Sequence, residues 1–208
     1  MIAKVLLLLL LFPSGPILVD KVAATVNGEV VTLHDIERAI ALFPVQQRDK
    51  ESEESFYLRV LDDLIAYKVI ALEYGNEFNL GEEDYAVVQT QILQRSGSLE
   101  KLLATLGNFA MSWSELTEFI REKVLYEKVL HEKSPMALAL PFSAIEEFYN
   151  REYFPFQLRF GLKPRSLAEM TPQIETYLRT LRMETRRAAW LADIRSAYTI
   201  EIMLRRPQ

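Results

Sequence analysis

The chain is 208 residues long, contains no cysteine and carries a net charge of −5. The missing thiols exclude disulfides, thiolate metal sites, a thiol nucleophile and lipoprotein acylation. The negative balance speaks against a nucleic-acid partner, and a half-hydrophobic composition is enough for a core without covalent staples.

Charge is shared unevenly. Residues 19–150 carry 12 basic and 23 acidic side chains, whereas residues 151–208 carry 11 basic and 6 acidic. The basic tail reads either as a solvated helix face or as a surface that packs back onto the acidic body.

The chain opens with Lys4, then Val5 to Phe12 with six consecutive leucines, then Pro13-Ser14-Gly15-Pro16. A charged start, a short apolar run and a breaker have the form of a secretory signal peptide, expected over residues 1–18. The run falls short of the roughly 20 residues of a spanning helix, so no stable membrane span is expected once the signal is removed. An uncleaved anchor and a buried helix are the alternatives.

Val22 to Val26 is rich in β-branched residues, and Asn27-Gly28 suits a two-residue turn with positive φ at both positions. Glu29-Val30-Val31 returns as a second strand. Thr32 is placed to cap a helix starting at Leu33, with Asp35 reaching back. A lone hairpin is marginal in water. The alternating run Tyr198, Ile200, Ile202 and Leu204 therefore predicts a last strand that joins the hairpin and closes the two ends into one domain. Exchange of that strand between two chains would give a swapped homodimer.

Between these ends the period is helical. Helices are expected over 33–43, about 53–78, 82–95, 98–106 and from Ser112 to near Ser134. Ser112-x-x-Glu115 is a capping box, and Ser143-x-x-Glu146 predicts another that opens a short helix ending near Glu152. Pro155 and Pro164 bracket an expected irregular connector. Thr171-Pro172 supplies N-cap and N1 residues for a long helix. The fold class is mainly α, with a small β-sheet made by the N-terminal hairpin and the C-terminal strand.

Chemistry is sparse. The two histidines, His34 and His131, read as exposed or capping residues. Paired carboxylates such as Asp62-Asp63 and Glu146-Glu147 fall at helix starts or on amphipathic faces. No metal site, cofactor site or catalytic residue is expected. The surplus is apolar: Phe43, Phe109, Met111, Phe142, Phe154 and Phe156 lie at helix ends or in linkers. They either plug the core between helices or form an exposed, adaptable patch for apolar segments of another chain.

Several stretches resemble the SurA/PrsA/trigger-factor-like class of peptide-binding chaperones. They are Asp20 to Thr32, Val60 to Ile70, Ser98 to Leu103, Met111 to Leu116, Arg187 to Leu191 and Tyr198 to Ile202, in that order. The resemblance implies a SurA-like chaperone region over 19–152, completed by the helix and strand of 171–208. In that class a parvulin-type isomerase domain of about 90 residues, small for a domain, usually stands between the two parts. Here only 153–170 fills the gap, so the resemblance implies no isomerase activity. It implies a periplasmic holdase for unfolded or partly folded exported clients, outer-membrane β-barrel precursors above all. A dedicated assembly or scaffold subunit for one folded partner is the rival reading.

Overall fold

A computed structural model describes residues 20–133 and 140–204. The expected signal segment, 1–18, lies outside the described residues. The architecture is mainly α-helical with one three-stranded antiparallel sheet.

The sheet forms as the local signals require. β1 (Val22–Val26) and β2 (Glu29–Thr32) are joined by Asn27 and Gly28 at φ of 48° and 87°. Positive φ at both positions matches the strand twist, and Gly28 adopts it without a Cβ penalty. A register shift between Val22 and Ala24 turns both Ala23 and Ala24 inward, so the alternation along β1 breaks where two small residues meet the core. β3 (Ile200–Ile202) pairs with the other edge of β1, giving the order β2-β1-β3. Asn27 clamps its entry. The Asn27 N–H donates to Thr199 O, and Asn27 Oδ1 accepts from the Thr199 N–H, both at 2.8 Å. Tyr198, Ile200 and Leu204 pack on the core as the alternation predicts. Ile202 does not. It is exposed beside α2, at the end of a strand of only three residues.

α1 (Leu33–Leu42) starts at the Thr32–Asp35 capping box and buries Ile36, Ala39 and Leu42. α2 (Glu53–Tyr74) is the hub. Nine of its residues are buried, from Phe56 to Ile70, because β1, α1, α5 and α8 cover it from several sides. It stops at Tyr74 rather than Phe78, with Gly75 as C-cap. α3 (Glu82–Ser96) starts where the Asp84 carboxylate accepts from the Gly81 N–H and ends at Gly97 with φ of 79°. α4 (Leu99–Asn108) carries Gly107 within it, and α5 (Trp113–Lys133) opens with the expected Ser112–Glu115 reciprocal cap.

The carboxyl-terminal third departs from expectation. α6 (Phe142–Phe148) begins one residue before Ser143, and Pro141 stands at its N-cap, so no Ser143–Glu146 box forms. A π-helical stretch, Tyr149–Tyr153, runs directly into α7 (Phe154–Arg159). The expected irregular connector is therefore helical in its first half, to Arg159, and irregular from Phe160 to Ser166. Pro155 is the second residue of α7, and because helical residues precede it directly its missing N–H forfeits one backbone bond. α8 (Leu167–Ser196) starts before Thr171-Pro172, because Ser166 and Glu169 form a capping box upstream. Pro172 lies inside the helix and forfeits one backbone bond.

The elements make two regions. β1–β3, α1–α5 and the last turns of α8 form a body with the main core. Trp190, Leu191 and Ile194 dock α8 there, with Trp190 6.2 Å from the Tyr74 ring. Arg195 pairs with Asp62 at 2.6 Å, and Tyr198 donates to Glu73 at 2.7 Å. So part of the basic tail does meet the acidic body. The first half of α8 instead packs on α6 and the π-helical stretch, through Ile174 and a Phe148–Tyr177 ring contact at 5.2 Å. We call this second region the arm.

Candidate functional site

Two concave features of the surface have apolar residues in their lining. The first is a groove of about 420 Å³ on the body, between β2, α1, α2 and α5. α1 ends at Leu42, and Phe43 turns inward under it. The Phe43 ring stacks on Phe119 at 5.6 Å and meets Tyr67 edge-on at 6.2 Å. With Leu64 and Met111 these rings make the groove floor. The rim mixes signs: Asp35, Glu115 and Glu122 stand among Arg38, Arg121 and Lys68. Lys68 ties the rim together, bonding Glu122 at 2.7 Å and Glu29 at 3.2 Å. Burial opposes its charge, but those carboxylates outweigh it and hold the ammonium above its usual range.

Beneath the floor lies a second set of charges. Lys123 is buried, pairs with Glu127, and stands 5.4 Å from the centres of both the Phe43 and Tyr67 rings. Its charge is thus matched by one carboxylate and two aromatic faces. Burial, and then the charge of Asp63, pushes the Tyr67 hydroxyl well up. Burial, and then neighbouring Asp62, raises the Asp63 carboxyl as well. These shifts follow from packing. They set no nucleophile beside a base.

The second surface is the arm. Phe142 of α6 and Phe154 and Phe156 of α7 are 55%, 40% and 52% exposed. Tyr177, Leu181 and Met183 of α8 are exposed too. A concavity of about 420 Å³ opens between Phe148, Tyr153, Phe156 and Tyr177. Two tyrosines hold the region in shape. The Tyr149 hydroxyl donates to Arg165 O at 2.8 Å, and the Tyr153 hydroxyl accepts from the Arg165 N–H at 3.3 Å.

The six residues singled out by sequence fall into two groups that the fold does not bring together. Phe43 and Met111 are buried, and Phe109 is half-buried with its ring 5.4 Å from that of His34. These three are core plugs. The reason is local: each follows a helix end whose next turn folds the side chain under its neighbours. Phe142, Phe154 and Phe156 are the exposed ones. Sequence reasoning missed Leu158, Phe160 and Leu162, which continue the same surface. Their signal was an apolar residue at every second position from 154 to 162. On a helix that spacing puts apolar groups on opposite sides, and one neighbour cannot cover both.

His34 stands in the first turn of α1, where its N–H donates to Asp20. His131 is exposed near the end of α5. Among the described residues no cluster of His, Asp or Glu is arranged to hold a metal ion, and no helix is long and apolar enough to cross a membrane. No protein-family model matches the chain, and no curated protein matches it.

Proposed function

We propose that the chain is a holdase-type chaperone that binds unfolded exported proteins without isomerase activity. Its clients are outer-membrane β-barrel precursors, and its compartment is the periplasm, reached by loss of residues 1–18. The observation that supports this most is the uncovered apolar surface of the arm. Phe142, Phe154 and Phe156 stay exposed on a frame that hydrogen bonds hold in place. Large apolar groups that a fold leaves in water mark a surface for another molecule. Barrel precursors fit such a surface, because their strands alternate apolar and polar residues and carry aromatic girdles. Each contact contributes about 25 cal/mol per Å² of apolar area before ordering costs, so binding is weak and many-pointed. The absence of isomerase activity is read from the eighteen residues of 153–170, which are fewer than such a domain needs.

The test is aggregation of an unfolded barrel protein followed by light scattering. The chain from Asp20 onward suppresses it at stoichiometric ratios. The combined variant Phe142→Ser, Phe154→Ser, Phe156→Ser loses most of that effect with its unfolding midpoint unchanged. No suppression by the unsubstituted chain at any ratio overturns the reading. One tight complex with a single folded partner, and no affinity for unfolded chains, replaces it with the scaffold reading.

A further inference from the structure

The arm ends in a tip that the client reading leaves unexplained. α7 stops at Arg159, and Gly161 turns the chain with φ of 67°. Phe160 is 63% exposed, the most of any large apolar side chain among the described residues, and Leu158 and Leu162 flank it in the open. Three consecutive backbone N–H groups there are satisfied internally. The N–H groups of Phe160, Gly161 and Leu162 donate to Phe156 O, Leu158 O and Gln157 O at 3.3, 3.0 and 2.9 Å.

Charge completes the pattern. From Tyr153 to Ala168 there is no acidic residue, but there are Arg159, Lys163 and Arg165. Among the described residues no carboxylate pairs with Arg159 or Lys163. Arg151, one turn earlier, is already paired with Glu147.

We propose that this tip, Leu158 to Arg165, is a contact site for an anionic phospholipid surface. A short element that is apolar on more than one side is not covered by a groove, which reaches one side only. It is covered by a medium that surrounds it. Internally paired backbone suits entry into an apolar interface, where unpaired N–H groups are costly. The cations sit beside the apolar side chains, where headgroup phosphates would meet them. The pinning of Arg165 by Tyr149 and Tyr153 fixes the tip before contact, so little ordering is lost. α8 docks on the acidic body through its last turns and on the arm through its first turns, which sets the tip apart from the repelling charge. This inference stands independently of the client reading.

Because the chain has no cysteine, one site in the full chain can carry an environment-sensitive fluorophore. Leu162→Cys places it on the tip and Glu83→Cys places a control on α3. The tip label shifts to the blue on phosphatidylglycerol vesicles and much less on phosphatidylcholine vesicles, and the control label does not shift. Adding Arg159→Gln and Lys163→Gln weakens the vesicle affinity about thirty-fold, the effect of two cations at about 1 kcal/mol each. Equal shifts on both lipids, equal shifts at both labels, or an unchanged affinity after charge removal overturns the proposal. So does a tip shift that grows with protein concentration in the absence of vesicles, which would mean that two copies pair through the tip. Aggregation suppression by Arg159→Gln with Lys163→Gln alone, without the label substitution, stays at the unsubstituted level, so loss of lipid binding and loss of client binding are read separately.

Discussion

α2 and the first half of α8 are both helices with apolar stripes, yet they end in opposite circumstances. α2 has 22 residues and nine of them are buried, while α8 has 30 and only Ile174 is buried. Composition is part of the difference, since 14 of the 22 residues of α2 are hydrophobic against 14 of 30 in α8, and coverage is the rest. α2 is surrounded by β1, α1, α5 and the end of α8. The start of α8 has only α6 and the π-helical stretch beside it. An apolar side chain is buried by what its neighbours can cover, and in the arm there are too few neighbours. The body is thus covered on most sides, and the arm is not.

The largest effect expected from breaking this contrast is in the hub. Ile65→Ala leaves a cavity under a fully buried side chain of α2 and costs about 2–5 kcal/mol by denaturant unfolding. Ile174→Ala makes the same kind of deletion in the arm. It costs about 1–3 kcal/mol, less than the hub because exposed surroundings relax into the space. Hydrogen exchange sharpens the contrast: amides of α6 and α7 lose protection while those of α2 keep it.

Next comes the clamp. Asn27→Gly keeps the turn's positive φ but removes the oxygen that accepts from Thr199. The expected loss is about 1 kcal/mol, with faster exchange in β3 alone. Arg195→Gln removes a partly exposed pair between α8 and the body, at about 0.5 kcal/mol or less, and the loss disappears at high salt.

Asp63 gives the pH test. Burial raises its folded-state pKa above the unfolded value, so folding is favoured when it is protonated. That advantage is fully present below the unfolded pKa and is lost as pH rises through the folded one. Asp63→Asn therefore raises the unfolding midpoint slightly at neutral pH, and the gain vanishes on acidification into the carboxylate range. An unchanged difference across that range would remove Asp63 from the account.

What was legible in the sequence was local or edge-driven. Asn27-Gly28 and the Thr32–Asp35 and Ser112–Glu115 boxes carry their geometry within four residues, and all three formed. The pairing of β3 with β1 was legible because a two-stranded hairpin needs a third strand and the chain offers one alternating run at its end. The arm was misread through its prolines. Pro155 and Pro172 read as a breaker and a start, but the helical turns before Pro155 carry the chain through it, and Ser166–Glu169 caps α8 before Pro172 arrives. The six apolar residues could not be sorted from sequence, because Phe43 and Phe156 differ only in what stands opposite them. Phe43 faces Phe119 and Tyr67 from two other helices, whereas Phe156 has Phe160 from its own turn, at 4.7 Å.

The order β2-β1-β3 also has a kinetic meaning. The Thr199 N–H and the Asn27 side chain that receives it are 172 residues apart. A ribosome has therefore made almost the whole polypeptide before the sheet has its third strand. Closing so long a loop is slow relative to hairpin formation, and contacts between distant positions delay folding. The first β ribbon waits, incomplete, until the far end arrives.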